Sequence, residues 1–296
     1  MRIARSPVAG IGTALLCLAA WSITAAQAET HIFTGSEAVE FESMPFTFEP
    51  SAFKIKQAQK LGRPVEITTE PAVKVKGYLL RPDTDDSRPA VVVMHTCAGI
   101  SEHEESWARR LTEWGYVTFS VDSLGPRGYE YICDGRAEGG ALTTPFRRAL
   151  DAYGAKAYLG SLDYVDADRI AVIGMSHGGM TVLQIIRQSI TDGLEMTPFQ
   201  AAVAFYPLCG EAGPINAPTM ILVGGADSWT PAVLCETLVQ QMPPDADVEL
   251  RVYPEAHHTF DHPGIDTIDM GHVIRTDPQA SADAAAAVRR FLEEHL

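Results

Sequence analysis

Positive charge is scarce in this chain. Its 296 residues include 23 Lys and Arg against 38 Asp and Glu, a formal net charge of -15. So acidic a surface repels phosphate backbones, and no nucleic-acid partner is expected. Cysteine is also sparse, with five in all. No C-x-x-C pair and no close Cys/His cluster occurs, which argues against a zinc site. Beyond residue 28 there is no long apolar run, so no stable membrane anchor is expected. Internal repeats, low-complexity tracts and linker-like composition breaks are missing as well. A chain of this length without them fits one large α/β domain.

The first residues read as an address. Arg2 and Arg5 give a positive start, Val8 to Ile23 is mostly apolar and small, and Ala26-Gln27-Ala28 offers a small-x-small cleavage pattern. Residues 1–28 are therefore expected to be a signal peptide, cut near Ala28, with a periplasmic or secreted product. Cys17 lacks the small residues that a lipid-anchor signal would place before it. Four cysteines remain: Cys97, Cys133, Cys209 and Cys235. An oxidising compartment permits two disulfides among them, with three pairings open. Residues 29–61 form an N-terminal extension of uncertain structure, with Phe33, Phe41, Phe46, Phe48 and Phe53 spread through polar sequence.

Residues 62–296 carry the main pattern. Val65 to Thr69 and Val73 to Leu80 predict two strands. The continuous apolar run Pro89-Ala90-Val91-Val92-Val93-Met94-His95 suits a parallel strand buried on both faces. Ser101 can cap the helix that follows, with Trp107, Leu111 and Trp114 at helical spacing. Tyr116 to Asp122 is the next strand, and Tyr129 to Thr144 is a loop-like insertion. A helix begins near Pro145. Strands follow at Arg169 to Ile173, Phe199 to Tyr206, Thr219 to Gly224 and Val248 to Tyr253. Asp261 to Pro278 reads as a long loop before a final helix. Strands alternating with helices predict a mainly parallel sheet covered on both faces, with ligands beyond the carboxyl ends of its strands.

Gly174-Met175-Ser176-His177-Gly178 sits where a buried strand turns sharply into a helix. That context makes G-x-S-x-G a nucleophile turn, with Ser176 lifted above the sheet edge. A serine hydroxyl needs a base to take its proton, and a carboxylate to fix the base's tautomer. Asp227 follows one later strand, and the pair His257-His258 follows the next, in the order Ser, Asp, His. Asp245 and Asp247 precede a strand, on the wrong side of the sheet, and Asp261 comes after the histidines. The oxyanion donors are expected to be the backbone N–H of His177 and one near Cys97. Arg127, beside a strand end, is a candidate to hold a substrate carboxylate, against a salt bridge within the insertion. This chemistry implies no metal and no organic cofactor.

These motifs resemble the dienelactone hydrolase family of α/β-hydrolases from about Val65 to the C-terminus. The likeness rests on Val91 to His95 with Gly99, Gly115-Tyr116-Val117 through Asp122, Gly174 to Gly179, Asp227 to Pro231 and Ala256-His257-His258-Thr259-Phe260. It implies the α/β-hydrolase fold, a small-molecule ester or lactone substrate, and His258 as the base, two residues before phenylalanine. A closer branch shares the neighbourhoods of Cys97, Pro126-Arg127-Gly128, Cys133, Tyr206-Pro207-Leu208-Cys209 and Trp229-Thr230-Pro231 with Cys235. That resemblance implies the pairs Cys97–Cys133 and Cys209–Cys235. The namesake enzymes carry a cysteine nucleophile and a glutamate where this chain has Ser176 and Thr96, so the resemblance implies a serine hydrolase of esters or lactones. Two other classes share some of these features: a serine peptidase resembling the prolyl oligopeptidases, and a binding protein on a hydrolase scaffold.

Overall fold

A computed structural model of the chain describes residues 33–134 and 144–296. The expected signal peptide and residues 135–143 of the insertion lie outside the described residues. In chain order the elements are β1 Glu37–Glu42, β2 Phe46–Phe48, α1 Ala52–Leu61, β3 Thr68–Glu70, β4 Lys74–Leu80, β5 Arg88–Met94, α2 Glu102–Glu113 and β6 Val117–Asp122. Then come α3 Pro145–Gly160, β7 Val165–Met175, α4 His177–Ile185, α5 Gln188–Leu194, β8 Ala202–Phe205, β9 Thr219–Gly224, α6 Ala232–Gln241, β10 Val248–Tyr253, β11 Asp266–Asp269, β12 His272–Arg275 and α7 Pro278–His295.

Eight strands form the central sheet in the order β1-β4-β6-β5-β7-β8-β9-β10. β1, β4 and β6 pair antiparallel, and every pair from β6 through β10 is parallel. The apolar run of β5 is continuous because both faces of that strand are covered. Ala90, Val92 and Met94 pack with Ala152 and Tyr153 of α3 and with Val182 and Ile185 of α4. Val91 and Val93 face the other way, among Trp107 and Leu111 of α2 and Val288 and Phe291 of α7. α2 begins where Ser101 and Glu104 complete a reciprocal capping box.

Three features differ from the sequence reading. Residue 62 does not mark where the fold begins: β1 is already a strand of the central sheet, and Phe41 is buried in its core. Burying that ring contributes about 1.5–3 kcal/mol, which is enough to fasten a short edge strand. The strand expected at Val65 to Thr69 is only β3, paired with β2 in a separate two-stranded sheet. The expected loop from Asp261 to Pro278 contains the hairpin of β11 and β12. Its turn residues Met270 and Gly271 both have positive φ, 49° and 86°. A two-residue turn of that kind favours Asn-Gly, so a methionine in the first place hides it from a sequence reading.

Candidate active site

The turn after β7 is built around backbone contact. A Cβ on Gly178 would stand 2.1 Å from the Met94 carbonyl oxygen, and one on Gly174 would stand 2.3 Å from that of Gly178. Only glycine lets the start of α4 lie against β5 and β7 so closely. Between them Ser176 is held at φ 52°, ψ −113°, a conformation that costs a non-glycine residue free energy. Its N–H is anchored on the Phe205 carbonyl at 2.9 Å.

Ser176 Oγ lies 3.0 Å from His258 Nε2, and His258 Nδ1 lies 2.7 Å from Asp227 Oδ2. With Nδ1–H donated to the carboxylate, Nε2 is left to accept the serine proton. All three residues are buried, with exposures of 8%, 2% and 5%. Asp227 is fully engaged: Oδ1 accepts the N–H of Trp229 at 2.8 Å and of Thr230 at 2.9 Å, and Oδ2 also accepts the Thr230 hydroxyl at 2.7 Å. Burial alone would raise its pKa. The hydrogen bond and charge of His258, together with the Thr230 donors, outweigh that and hold it below the usual carboxylate value. His257 instead turns its Nδ1 to the Ala226 carbonyl, 3.0 Å away.

A cavity of about 390 Å³ opens over Ser176 and His258. Cys97, Cys133 and Trp229 line it, as do Ile265, Ile268 and Ile274 around the hairpin. Among the described residues, no acceptor takes the N–H of Cys97. His177 opens α4, where a first-turn N–H has no partner within the helix. The hairpin is tied down beside His258: Arg275 N–H donates to the His258 carbonyl at 3.3 Å, and His272 stacks on Trp229 at 5.1 Å. Tyr131, in the insertion, donates its hydroxyl to Asp269 of the hairpin at 3.0 Å.

Two disulfides join Cys97 to Cys133 and Cys209 to Cys235. The first spans 36 residues and fastens the loop after β5 to the insertion. Removing it with Cys97→Ser/Cys133→Ser should cost about 2–4 kcal/mol, seen as a fall in Tm of roughly 5–15 °C. Activity should fall as well, because Cys97 belongs to the cavity wall. A pair of serines with unaltered Tm would show that the bridge constrains nothing.

Of the two readings of Arg127, the substrate-carboxylate role is corrected and the salt bridge holds, with its partner in α3 rather than in the insertion. Its guanidinium grips Asp151 through two bonds of 2.9 and 2.7 Å and donates to the Ser123 carbonyl at 2.7 Å. It is not among the residues lining the cavity. A buried carboxylate has claimed the donors that a substrate carboxylate would need.

Sequence reasoning also missed a buried network beside the site. Asp261 Oδ2 accepts from Trp107 Nε1 at 2.6 Å and lies 3.0 Å from His103 Nε2, while Oδ1 accepts the Tyr206 hydroxyl at 2.7 Å. Burial works against both charges, yet Asp261 raises the pKa of His103, and His103 lowers that of Asp261. The imidazolium's contribution to stability is full below its unfolded pKa near 6.5 and is lost as pH rises through the raised folded value. The carboxylate's contribution runs the other way and is lost as pH falls through the lowered folded value. Tm should therefore decline as pH rises above about 6.5 and through the raised folded value of His103, and less steeply in His103→Gln; equal slopes would rule this out. No spacing rule links residues 103, 206 and 261, so only a motif shared among relatives would have revealed them.

The dienelactone hydrolase family model matches residues 75–296. The chain belongs to the dienelactone hydrolase family. It is accordingly a hydrolase acting on ester bonds. A putative carboxymethylenebutenolidase of Yersinia pestis is 28% identical over 206 residues, covering 63% of this chain and 74% of the relative. Two solved structures have the same fold. The putative dienelactone hydrolase of Klebsiella pneumoniae has a TM-score of 0.61 at 21% identity, covering 87% of this chain and 99% of that one. A dienelactone hydrolase-like promiscuous phosphotriesterase from metagenomic libraries has a TM-score of 0.62 at 20% identity, covering 88% and 98%.

Proposed function

We propose that this dienelactone hydrolase family member cleaves carboxylic esters or lactones through an acyl-enzyme on Ser176. The observation that carries the proposal is the unbroken row Ser176–His258–Asp227, with contacts of 3.0 and 2.7 Å at the floor of a cavity. Ser176 Oγ attacks the carbonyl carbon as its proton passes to His258 Nε2, and Asp227 steadies the imidazolium. The N–H groups of Cys97 and His177 receive the negative oxygen. Collapse breaks the ester bond, and His258 returns the proton to the leaving alcohol. Water then repeats the sequence on the acyl-enzyme and frees the acid.

The cavity walls favour an apolar neutral group on the substrate, because Ile265, Ile268, Ile274 and Trp229 supply much of the lining. A fluorophosphonate should label Ser176, located by peptide mass. A panel of p-nitrophenyl esters should show kcat/KM rising with acyl length before it falls. A folded protein that takes no label would refute the acyl-enzyme.

Export completes the proposal. It is supported by the pattern of residues 1–28 and by two disulfides, which persist in oxidising compartments. Among the described residues no helix is long and apolar enough to cross a membrane. The domain plan that follows is a signal peptide of 28 residues ahead of the hydrolase domain.

A further inference from the structure

Arg148, in the first turn of α3, is fully buried and lines no part of the cavity. Nη2 donates to the His95 carbonyl at 2.6 Å, and Nη1 to His177 Nδ1 at 2.7 Å. One rigid guanidinium thus joins the end of β5 to the first residue of α4. These are the two segments that carry the N–H groups of the oxyanion site proposed above.

The His95 side chain extends the connection. Its Nε2 accepts the Ser123 N–H at 3.2 Å, so its proton sits on Nδ1, which donates to the Thr96 carbonyl at 2.6 Å. The Thr96 carbonyl and the Cys97 N–H are two ends of one peptide group. A donor at the oxygen end fixes that plane and polarises the N–H at the other. Both imidazoles must stay neutral for this. Burial and the charge of Arg148 push His177 down to about 3, and they lower His95 well below its usual value.

Burying a guanidinium is costly, and desolvation pulls Arg148 down to about 10 despite the nearby carboxylates of Asp151 and Glu104. It remains a cation at neutral pH. Its Nε has no partner among the described residues, so the group is not placed to maximise its own hydrogen bonding. Its two acceptors lie on the separate segments that the reaction needs in register.

We propose that Arg148 is a positioning residue that, through His95 and His177, sets the spacing and direction of the two N–H donors at the oxyanion site. The proposal rests on the oxyanion reading above. Arg148→Met should lower kcat by roughly 10- to 100-fold with KM within about threefold, since donors out of line weaken the transition state more than substrate binding. Arg148→Lys, able to reach one acceptor, should lose less.

A trifluoromethyl ketone separates positioning from plain structural damage. Ser176 Oγ adds to the ketone carbon, the serine proton moves to His258, and the carbonyl electrons end on the oxygen held by the two N–H groups. Its Ki should rise in Arg148→Met by the same factor as kcat falls. If Arg148→Met does not fold, His177→Leu and His177→Asn decide. Asn restores an acceptor close to the place of Nδ1 and should recover at least about fivefold of the kcat lost in His177→Leu. An unchanged kcat in folded Arg148→Met, or a lowered kcat with an unchanged ketone Ki, overturns the proposal. So do equal values in the two His177 variants. Failure of the unmutated protein to form the ketone adduct on Ser176 would instead remove the acyl-enzyme reading, and this brace with it.

Discussion

Ser176→Ala should lower kcat on an activated ester by roughly 10⁵- to 10⁶-fold, as loss of the nucleophile does in other serine hydrolases. The substitution removes one oxygen and leaves the anchoring bond from the residue 176 N–H to the Phe205 carbonyl in place. The backbone there is already held at positive φ with a Cβ present, so alanine adds no new strain. Near-UV CD and Tm should therefore match the unmutated protein. What remains is the stabilisation from the two proposed N–H donors and the cavity, which needs no nucleophile. Release of p-nitrophenol from the acetate ester measures the change, and a fluorophosphonate titration excludes contaminating enzyme. A fall of less than about a hundredfold in folded protein would mean that another group makes the bond.

Asp227→Asn should cost about 10⁴-fold in kcat with little change in fold. The reason lies in how the carboxylate is held. The N–H groups of Trp229 and Thr230 both point at Oδ1, so an amide NH₂ cannot take that side. The amide oxygen stays there, and the NH₂ faces His258 Nδ1 in place of Oδ2. His258 must then accept at Nδ1 and carry its proton on Nε2. In that tautomer it meets the Ser176 hydroxyl as a donor and cannot take its proton. Activity within tenfold of the unmutated value would show that Asp227 does not set the tautomer. The Thr230 hydroxyl, which reaches Oδ2 at 2.7 Å and His258 Nδ1 at 3.2 Å, should not compensate, because it carries no negative charge to steady an imidazolium.

Much of this arrangement is legible in one dimension because the relevant signals are local. An uninterrupted apolar run marks a strand covered on both sides, and the run from Ala90 to Met94 occupies that position. Two glycines around Ser176 mark a backbone crossing that admits no Cβ. Asp227 and His258 each follow a strand, and in a parallel sheet every strand that runs the same way ends at the same edge. Order along the chain thereby becomes nearness in space.

Other features depend on which groups meet across the fold, and no local rule states that. The sequence leaves Arg127 open between a substrate carboxylate and a salt bridge, and only the fold names Asp151, 24 residues away, as its partner. Arg148 carries no local signal at all, and its burial against His95 and His177 shows only once α3 is packed. β1 joins the sheet through pairing with β4, and the hairpin of β11 and β12 follows from a turn that Met270 disguises. The strand-and-helix order, the sharp turn at Ser176 and the sheet edge that Asp227 and His258 share can all be read along the chain, because each depends on periodicity or on a few adjacent residues. Which buried charges neutralise one another, which loops wall the cavity and how Arg148 joins the ends of β5 and α4 emerge only on folding, because those outcomes depend on burial and on contacts between residues that the chain keeps far apart.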